Sequence, residues 1–490
     1  MKRSIRSYSL FVLCCILTLL VGCFPEDSLE WSRDGSWGLL RTGAELFIVE
    51  GTSGTLTPIA LDGEAGPMPD ISSDGGRIAY VEMRPCSTVE EGLKLFPANV
   101  AEMIRRDARR LREKLYAGEV LPTDLPGGDG SKLGSEESYD GWVVRAMCED
   151  PNASLVARLG QEKLDECRER EIEYSRLIVA DRTEPGRSTT VMTMPTTMLR
   201  PRLSPDGRMV AFLMPTPQDD DNAVLIVTTT DGKADAIEVA SGVGFGYDWR
   251  PDSRAIAYVK QDGDPILGAI EERVLVAEDG AIPAEPTNPT AEKTVCTRRS
   301  AGATKQFAGT LFQPYMSIVY GPEGRVLFSS ATVTIPTSDL DEPRTSLFCY
   351  DRLTGTVTDI LPAALRNQAS ESIHYFRLSP DGRRLLAPLE SNRFAICELG
   401  SKQVQYPLSV EEGFGDDDIP DFLPSWKGND RVTCLVPETS HFLTGPDGKP
   451  HHRREIVVID TNGQLLEVLS KDWPDAAIPG ASQTTDRSRL

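Results

Sequence analysis

The sequence predicts an all-β fold, a β-propeller of seven four-stranded blades, from two observations. One phrase recurs along the chain: an apolar or aromatic residue, a tight turn closed by Asp and Gly, and a short apolar strand. Each copy is followed at a distance by a second strand pair with its own Gly turn. The clearest copy is Pro201 to Met214, PRLSPDGRMVAFLM. In its turn Pro205 presets φ, Asp206 bonds its own backbone and Gly207 takes the left-handed position. Arg208 to Leu213 then runs mostly apolar, as a strand facing a core does. A four-stranded meander cannot bury both faces alone, whereas units of about 40–50 residues stacked radially can.

The copies, in order, are Trp31-Ser32-Arg33-Asp34-Gly35, Ile71-Ser72-Ser73-Asp74-Gly75, Leu203-Ser204-Pro205-Asp206-Gly207, Trp249-Arg250-Pro251-Asp252-Ser253, Tyr320-Gly321-Pro322-Glu323-Gly324, Leu378-Ser379-Pro380-Asp381-Gly382 and a degenerate Trp426-Lys427-Gly428-Asn429-Asp430. Strands such as Arg77 to Val81, Ala255 to Val259 and Arg384 to Pro388 follow them. Second pairs include Glu45 to Val49 before Gly51, and Val224 to Thr228 before Asp231-Gly232. The turn residues Asp34, Asp74, Asp206, Asp252 and Asp381 are read as structural. One such turn means little, because any hairpin uses them; the repetition carries the argument.

These residues resemble the WD40-like repeats of the TolB type, whose phrase is an apolar or Trp residue, Ser-Pro-Asp-Gly-Arg/Lys, then an apolar strand. Leu203–Phe212 and Leu378–Leu386 match closely, and Trp249–Tyr258 nearly so. The resemblance covers most of the chain at repeat level, and it implies a β-propeller occupying residues 31–470. It does not imply TolB itself, which carries an additional α/β domain before its propeller. Here the first repeat begins almost at once, so TolB's partners are not carried over.

Residues 1–22 read as a signal peptide, with Lys2, Arg3 and Arg6 before the apolar run Leu10 to Val21. That run is short for a membrane span. Leu20-Val21-Gly22-Cys23 resembles a bacterial lipobox, which implies lipidation of Cys23 as the new N-terminus. Phe24 follows, not aspartate, which implies an outer-membrane lipoprotein facing the periplasm. The alternative is an ordinary secretory leader with chance cysteines, such as Cys14 and Cys15. Residues 23–30 are read as the lipidated end and a short tether. More than one acyl chain makes a stable anchor, at about 0.8 kcal/mol per buried methylene.

Asp and Glu number 74 against 52 Lys and Arg, a formal charge of −22. Such a surface repels nucleic-acid phosphate, and no nucleic acid is expected as partner. Divalent cations suit it better: Asp219-Asp220-Asp221-Asn222 and Asp416-Asp417-Asp418 read as acidic loops able to offer Ca²⁺ its oxygen ligands. Neither has EF-hand spacing, so solvated loops are the plainer reading.

An insertion at residues 85–171 interrupts the second unit. Asn99 to Gly118 reads as an amphipathic helix with Val100, Ile104, Leu111 and Leu115 on one face and Arg105, Arg106, Arg109, Arg110 and Arg112 around the rest. A second helix is expected from Ala153 to Glu171, completing an α-helical hairpin that projects from the blade. Residues 280–313 read as a loop insertion and 471–490 as a disordered tail in which Trp473 is the large apolar residue.

Cys349, Cys397 and Cys434 lie in apolar strands and read as small core residues. Cys86, Cys148 and Cys167 belong to the helical insertion and Cys296 to the loop insertion. In an oxidising compartment either Cys86–Cys167 or Cys148–Cys167 is a reasonable disulfide. No C-x-x-C pair and no G-x-S-x-G elbow occurs. The four histidines, His374, His441, His451 and His452, are too few to resemble the histidine-rich metal site of lyases built on this repeat. No catalytic residue, metal ligand or cofactor is assigned, and the chain is expected not to be an enzyme. The expected function is a lipid-anchored interaction scaffold for an envelope protein. The alternatives are a propeller binding a small ligand or glycan in its channel and, third, a lyase or hydrolase.

Overall fold

The computed structural model describes residues 27–125, 139–184, 187–216, 219–260, 269–275, 292–297, 310–311, 317–321, 325–332, 344–351, 354, 356–362, 365, 375–389, 393–408, 422–437, 440, 453–474 and 477–479. Their strands form six sheets, the blades of a β-propeller. Blade 1 holds Asp27–Trp31, Trp37–Thr42, Glu45–Glu50 and Leu56–Pro58. Blade 2 is built on Arg77–Cys86, Ile172–Asp181 and Ser188–Met194. Blade 3 spans Leu199–Leu203 to Glu292–Thr297, and blade 4 is centred on Val326–Thr332 and Arg344–Asp351. Blade 5 runs from Arg377–Leu378 to Val404–Gln405, and blade 6 from Ser425–Trp426 to Leu465–Val468.

Six blades, not seven, correct the count taken from the turns. The turns at Asp206 and Asp252 belong to one seven-stranded sheet. Its joint is the 13-residue strand Ile237–Trp249. In that strand Val243 pairs with Ala223 on one side and Lys260 on the other, so no break separates the third and fourth repeats. Gly242 takes φ 65° just before the switch, a backbone state that glycine adopts cheaply.

Ring closure joins the ends of the chain. Phe422–Leu423 pairs in parallel with Asp27 and Ser28, tying the segment before blade 6 into blade 1. Trp31, Leu40 and Val49 of blade 1 share a core with Leu435, Ile456 and Val458 of blade 6. Trp31 Nε1 donates to Thr433 Oγ1 at 2.8 Å. The degenerate last turn contributes Lys427, which is buried, lies 4.6 Å from the Trp31 ring and pairs with Glu467 at 3.3 Å.

Several boundaries differ from the sequence reading. The first strand starts at Asp27, within the segment read as a tether. Residues 292–297 and 310–311 are strands inside the segment read as a loop. Trp473, Ala477 and Ile478, read as disordered tail, are buried against blades 1 and 6, and Trp473 Nε1 donates to Gly54 O at 2.6 Å. An apolar end that can fill the seam between two blades gains more from burial than it loses in chain entropy.

The insertion grows from the tip of a hairpin whose last pair is Cys86 and Ile172. It contains five α-helices among the described residues, not a two-helix hairpin. They are α1 Val89–Leu95, α2 Ala98–Ala117, α3 Tyr139–Glu149, α4 Ala153–Leu159 and α5 Gln161–Glu169. Gly160, at φ 79°, splits the expected second helix into α4 and α5. The helices do not stand off the propeller. Phe96, Val100, Ile104 and Trp142 join a core with Val81, Tyr174, Leu203 and Phe212 of blades 2 and 3. Trp142 lies edge-on to Phe96 at 4.9 Å and donates to Glu173 O at 2.7 Å. A Cβ on Gly92 would come within 2.1 Å of the Trp142 ring, so the close approach of α1 requires glycine. Arg112 turns inward and donates to Met147 O at 2.6 Å at the end of α3, where cations favour the helix dipole.

Cys148 and Cys167 sit together as free thiols in the insertion's own core. Cys86 lies in the other core and its thiol donates to Thr88 O at 3.1 Å. Of the two disulfide pairings, the fold juxtaposes Cys148 and Cys167.

Trp142→Ala should cost about 3–5 kcal/mol in denaturant unfolding, the usual loss for a buried Trp. A cost under about 1 kcal/mol would show that the insertion is no part of the propeller core.

Candidate functional site

The repeated turns place their side chains alike. In four of them a serine hydroxyl donates to the aspartate: Ser32 to Asp34 and Ser204 to Asp206 at 2.7 Å, Ser72 to Asp74 and Ser379 to Asp381 at 2.6 Å. Each aspartate also accepts from the backbone two residues on, at 2.9–3.1 Å, as does Asp252 from Arg254 at 3.0 Å. The glycines Gly35, Gly75, Gly207 and Gly382 have φ of 68–69°. Ser253 takes the same left-handed state at 62°. Its hydroxyl accepts from Asp206 N at 2.9 Å, a tie to the neighbouring turn that glycine cannot make.

The turns gather on one face of the ring. Those of Asp34, Asp74 and Asp381 line a cavity of about 470 Å³ that also holds Arg33 and Arg182. Arg33 Nη2 donates to Pro380 O at 3.1 Å, and Arg182 lies 5.1 Å over the Trp37 ring. Pro380 also lines a second cavity, of about 280 Å³, at the centre of the ring. All six blades contribute to it, because the first strand of a blade runs nearest the axis. Glu30 comes from blade 1, Pro69 precedes a short strand of blade 2, and Arg200, Arg202 and Asp248 come from blade 3. Ile318 belongs to blade 4, Arg377 to blade 5 and Ser425 to blade 6.

Most charges of this central cavity are paired. Arg377 meets Glu30 at 2.5 Å and Arg202 meets Asp70 at 3.3 Å. Asp70 also accepts from Leu203 N at 2.7 Å. Burial nevertheless pushes its carboxyl up to about 6, against the pull of Arg202. Burial also raises the Asp248 carboxyl, which accepts from Tyr320 N at 2.9 Å. Arg200 is different. It is 7% exposed, and its Nη1 donates to Phe245 O at 2.6 Å. Its Nε is buried with no partner, as is Ser425 Oγ. Its backbone is at φ 49°, a strained state for a residue with a side chain, and its carbonyl accepts from the buried Tyr247 hydroxyl.

Sequence reasoning missed Arg200, Asp248, Arg377, Glu30 and Ser425. The signal was present only as position: each precedes or enters a turn phrase, on the strand a propeller turns toward its axis. Of the residues it did name, Cys23, Asp416-Asp417-Asp418 and all four histidines lie outside the described residues. The backbone of residues 219–222 runs as the start of the strand Asp219–Thr229, not as a loop. Among the described residues no three His, Cys, Asp or Glu side chains gather as a metal ion would require.

No protein-family model matches the chain. No curated protein matches it either. Solved structures do. An oligogalacturonate lyase in complex with manganese is 14% identical, with 73% of this chain and 72% of that one covered and a TM-score of 0.41. A TolB-type protein of Agrobacterium tumefaciens is 15% identical, with coverage of 68% and 79% and a TM-score of 0.31. A puromycin-hydrolyzing peptidase of Mycobacterium tuberculosis is 14% identical, with coverage of 90% and 53% and a TM-score of 0.43. The expectation that the chain is not an enzyme is corrected here: propeller proteins to which it is similar include a lyase and peptidases, so the fold gives no ground for excluding catalysis.

The turn carboxylates carry a pH signature. Hydrogen bonds hold Asp34, chiefly from Ser36 N, and Asp74, chiefly from Ser72, below the ordinary 3.8. Carboxylates lowered by folding add stability that is present above about pH 4 and is lost as pH falls below it. Replacing both with Asn keeps an acceptor and removes the titration. Melting curves between about pH 4.5 and 2.5 should fall less steeply for the double variant; equal slopes would contradict this role.

Proposed function

We propose that the protein is a ligand-binding propeller of the bacterial cell envelope, anchored by lipid at Cys23 and taking a small polar ligand in its central cavity. The observation that carries this reading is the convergence of six blades on one cavity lined by buried charged groups. Small-molecule sites are concave and mostly preformed, with a few placed polar groups. At about 280 Å³ the cavity suits a metabolite or a single sugar better than a folded partner. The wider cavity on the turn face supplies the approach. The anchor rests on the lipobox resemblance at Leu20 to Cys23, and on this reading the propeller faces the periplasm close to the outer membrane.

A second reading, a scaffold for an envelope protein, draws on α2. Arg105, Arg106, Arg109 and Arg110 are exposed there beside Met103. It is the weaker reading, because Asp107 already meets Arg106 and Arg110, and Glu102 meets Arg109.

Native mass spectrometry of protein taken from its own membranes should show a small-molecule adduct. Val319→Trp, which fills the cavity, should lose it. A bare mass for the unaltered protein would contradict the ligand reading. Separately, Cys23→Ser should move the protein from the membrane to the soluble fraction, and continued membrane retention would contradict the anchor. Peptide mapping without reductant should then yield a Cys148–Cys167 cross-link, because exported thiols in contact are oxidised.

A further inference from the structure

Resting on the anchor read at Cys23, we propose that the helical insertion docks on the membrane surface, with the outer side of α1 and α2 against anionic phospholipid headgroups. The first strand of blade 1 runs from Asp27 to Trp31 and leads into the Asp34 turn, so Asp27 lies at the face opposite the repeated turns. Asp27 Oδ1 accepts from Gly43 N at 2.8 Å, in the hairpin that joins the second and third strands of that blade. The insertion leaves blade 2 at the corresponding hairpin, between Arg77–Cys86 and Ile172–Asp181. Ala65 links the two places: its N donates to Ala44 O at 2.9 Å, and it pairs with Glu82. From Glu82 the strand runs on to Cys86, about 14 Å at the strand rise. Cys23 precedes Asp27 by a stretch of chain that spans at most about 14 Å. With the chain anchored there, the insertion sits at the level of the bilayer surface.

Its exposed residues suit that place. Val100 and Ile104 pack on blades 2 and 3, so the opposite side of α2 points away from the propeller. The exposed side carries Arg105, Arg106, Arg109, Arg110 and Lys114 against Glu102, Asp107 and Glu113, a positive face on a chain of charge −22. The pairs that Asp107 and Glu102 make with these arginines lie at the surface, where a pair is worth at most about 1 kcal/mol, so headgroup phosphates exchange with them at little cost. Among the described residues seven large apolar side chains are exposed, and four of them, Leu95, Met103, Tyr116 and Leu121, belong to the insertion. Cations interleaved with exposed apolar side chains are the composition of an interfacial helix. Position selects lipid over a protein partner, because a face held against the bilayer by the anchor is closed to a folded protein.

The test is photocrosslinking of protein purified from its own membranes and placed in vesicles of phosphatidylcholine, with or without phosphatidylglycerol, each doped with a lipid bearing a diazirine in its headgroup. Peptide mapping should find lipid adducts on peptides holding Leu95, Met103 and Leu121, and none above background on those holding Arg33 or Arg182 at the turn face. A variant carrying Arg105→Gln, Arg106→Gln, Arg109→Gln and Arg110→Gln should lose adducts at least about threefold in the phosphatidylglycerol vesicles, as expected when cations leave an anionic surface. Leu95→Ser with Leu121→Ser is the second variant and should lose adducts in both kinds of vesicle. Retention of the protein through a high-salt wash reports the anchor separately. Adducts confined to residues before Asp27, or spread equally over the insertion and the turn face, overturn the docking face even where retention upholds the anchor. Adducts on the insertion that neither variant lowers overturn it as well. Protein that washes away, yet gains adducts on the insertion when vesicles are added back, upholds the docking face and contradicts the anchor; protein that washes away and gains none there overturns both.

Discussion

The molecule depends on closing its ring. Each sheet buries its faces only against its neighbours, so the seam between blade 6 and blade 1 decides whether every other interface is held in place. Three contacts of different kinds make that seam. Phe422 and Leu423 add a short parallel pairing to the first strand, Trp31 and Trp473 each donate across it, and Lys427 lies on the Trp31 ring. The turn that departs furthest from the repeat, Trp426 to Asp430, is therefore one the closure uses. Where four of the other turns place a serine to lock an aspartate, this one places a buried cation between Trp31 and Glu467.

Closure also creates the site. Strands that begin each blade are brought to one axis, and residues from Glu30 to Ser425 come to line one cavity. Their charges would be costly alone. Glu30 with Arg377 and Asp70 with Arg202 pair across blades, so the cavity wall is held by ion pairs as well as by apolar packing. Arg200 combines a strained backbone with a buried guanidinium whose Nε has no hydrogen-bond partner. Such departures from local preference persist only where the surrounding fold over-determines them, and they concentrate at binding sites.

Much of the architecture was legible because it is local. The Ser-x-Asp-Gly turns, the strands after them and α2 follow from residue types at short spacing, and the bond from Asp206 to its own backbone could be read before any fold was known. The blade number was not legible for a local reason as well. Ser241-Gly242-Val243-Gly244 has the composition of a loop, yet its backbone stays in the sheet and lets Val243 pair on both sides. The helices α1 and α3 were missed because their apolar residues are divided between the propeller core and the insertion's own core, and Trp142 gains its meaning only from Phe96 and Glu173. The cavity was the least legible part. Nothing in Leu199-Arg200-Pro201-Arg202-Leu203 says that one arginine finds a carboxylate and the other does not; pairing is decided by Asp70, far away in the chain.

The most direct measurement is a crystal structure of protein purified from its own membranes. The account predicts density for a small polar molecule in the central cavity, touching residues of several blades. A cavity that holds only water would contradict it.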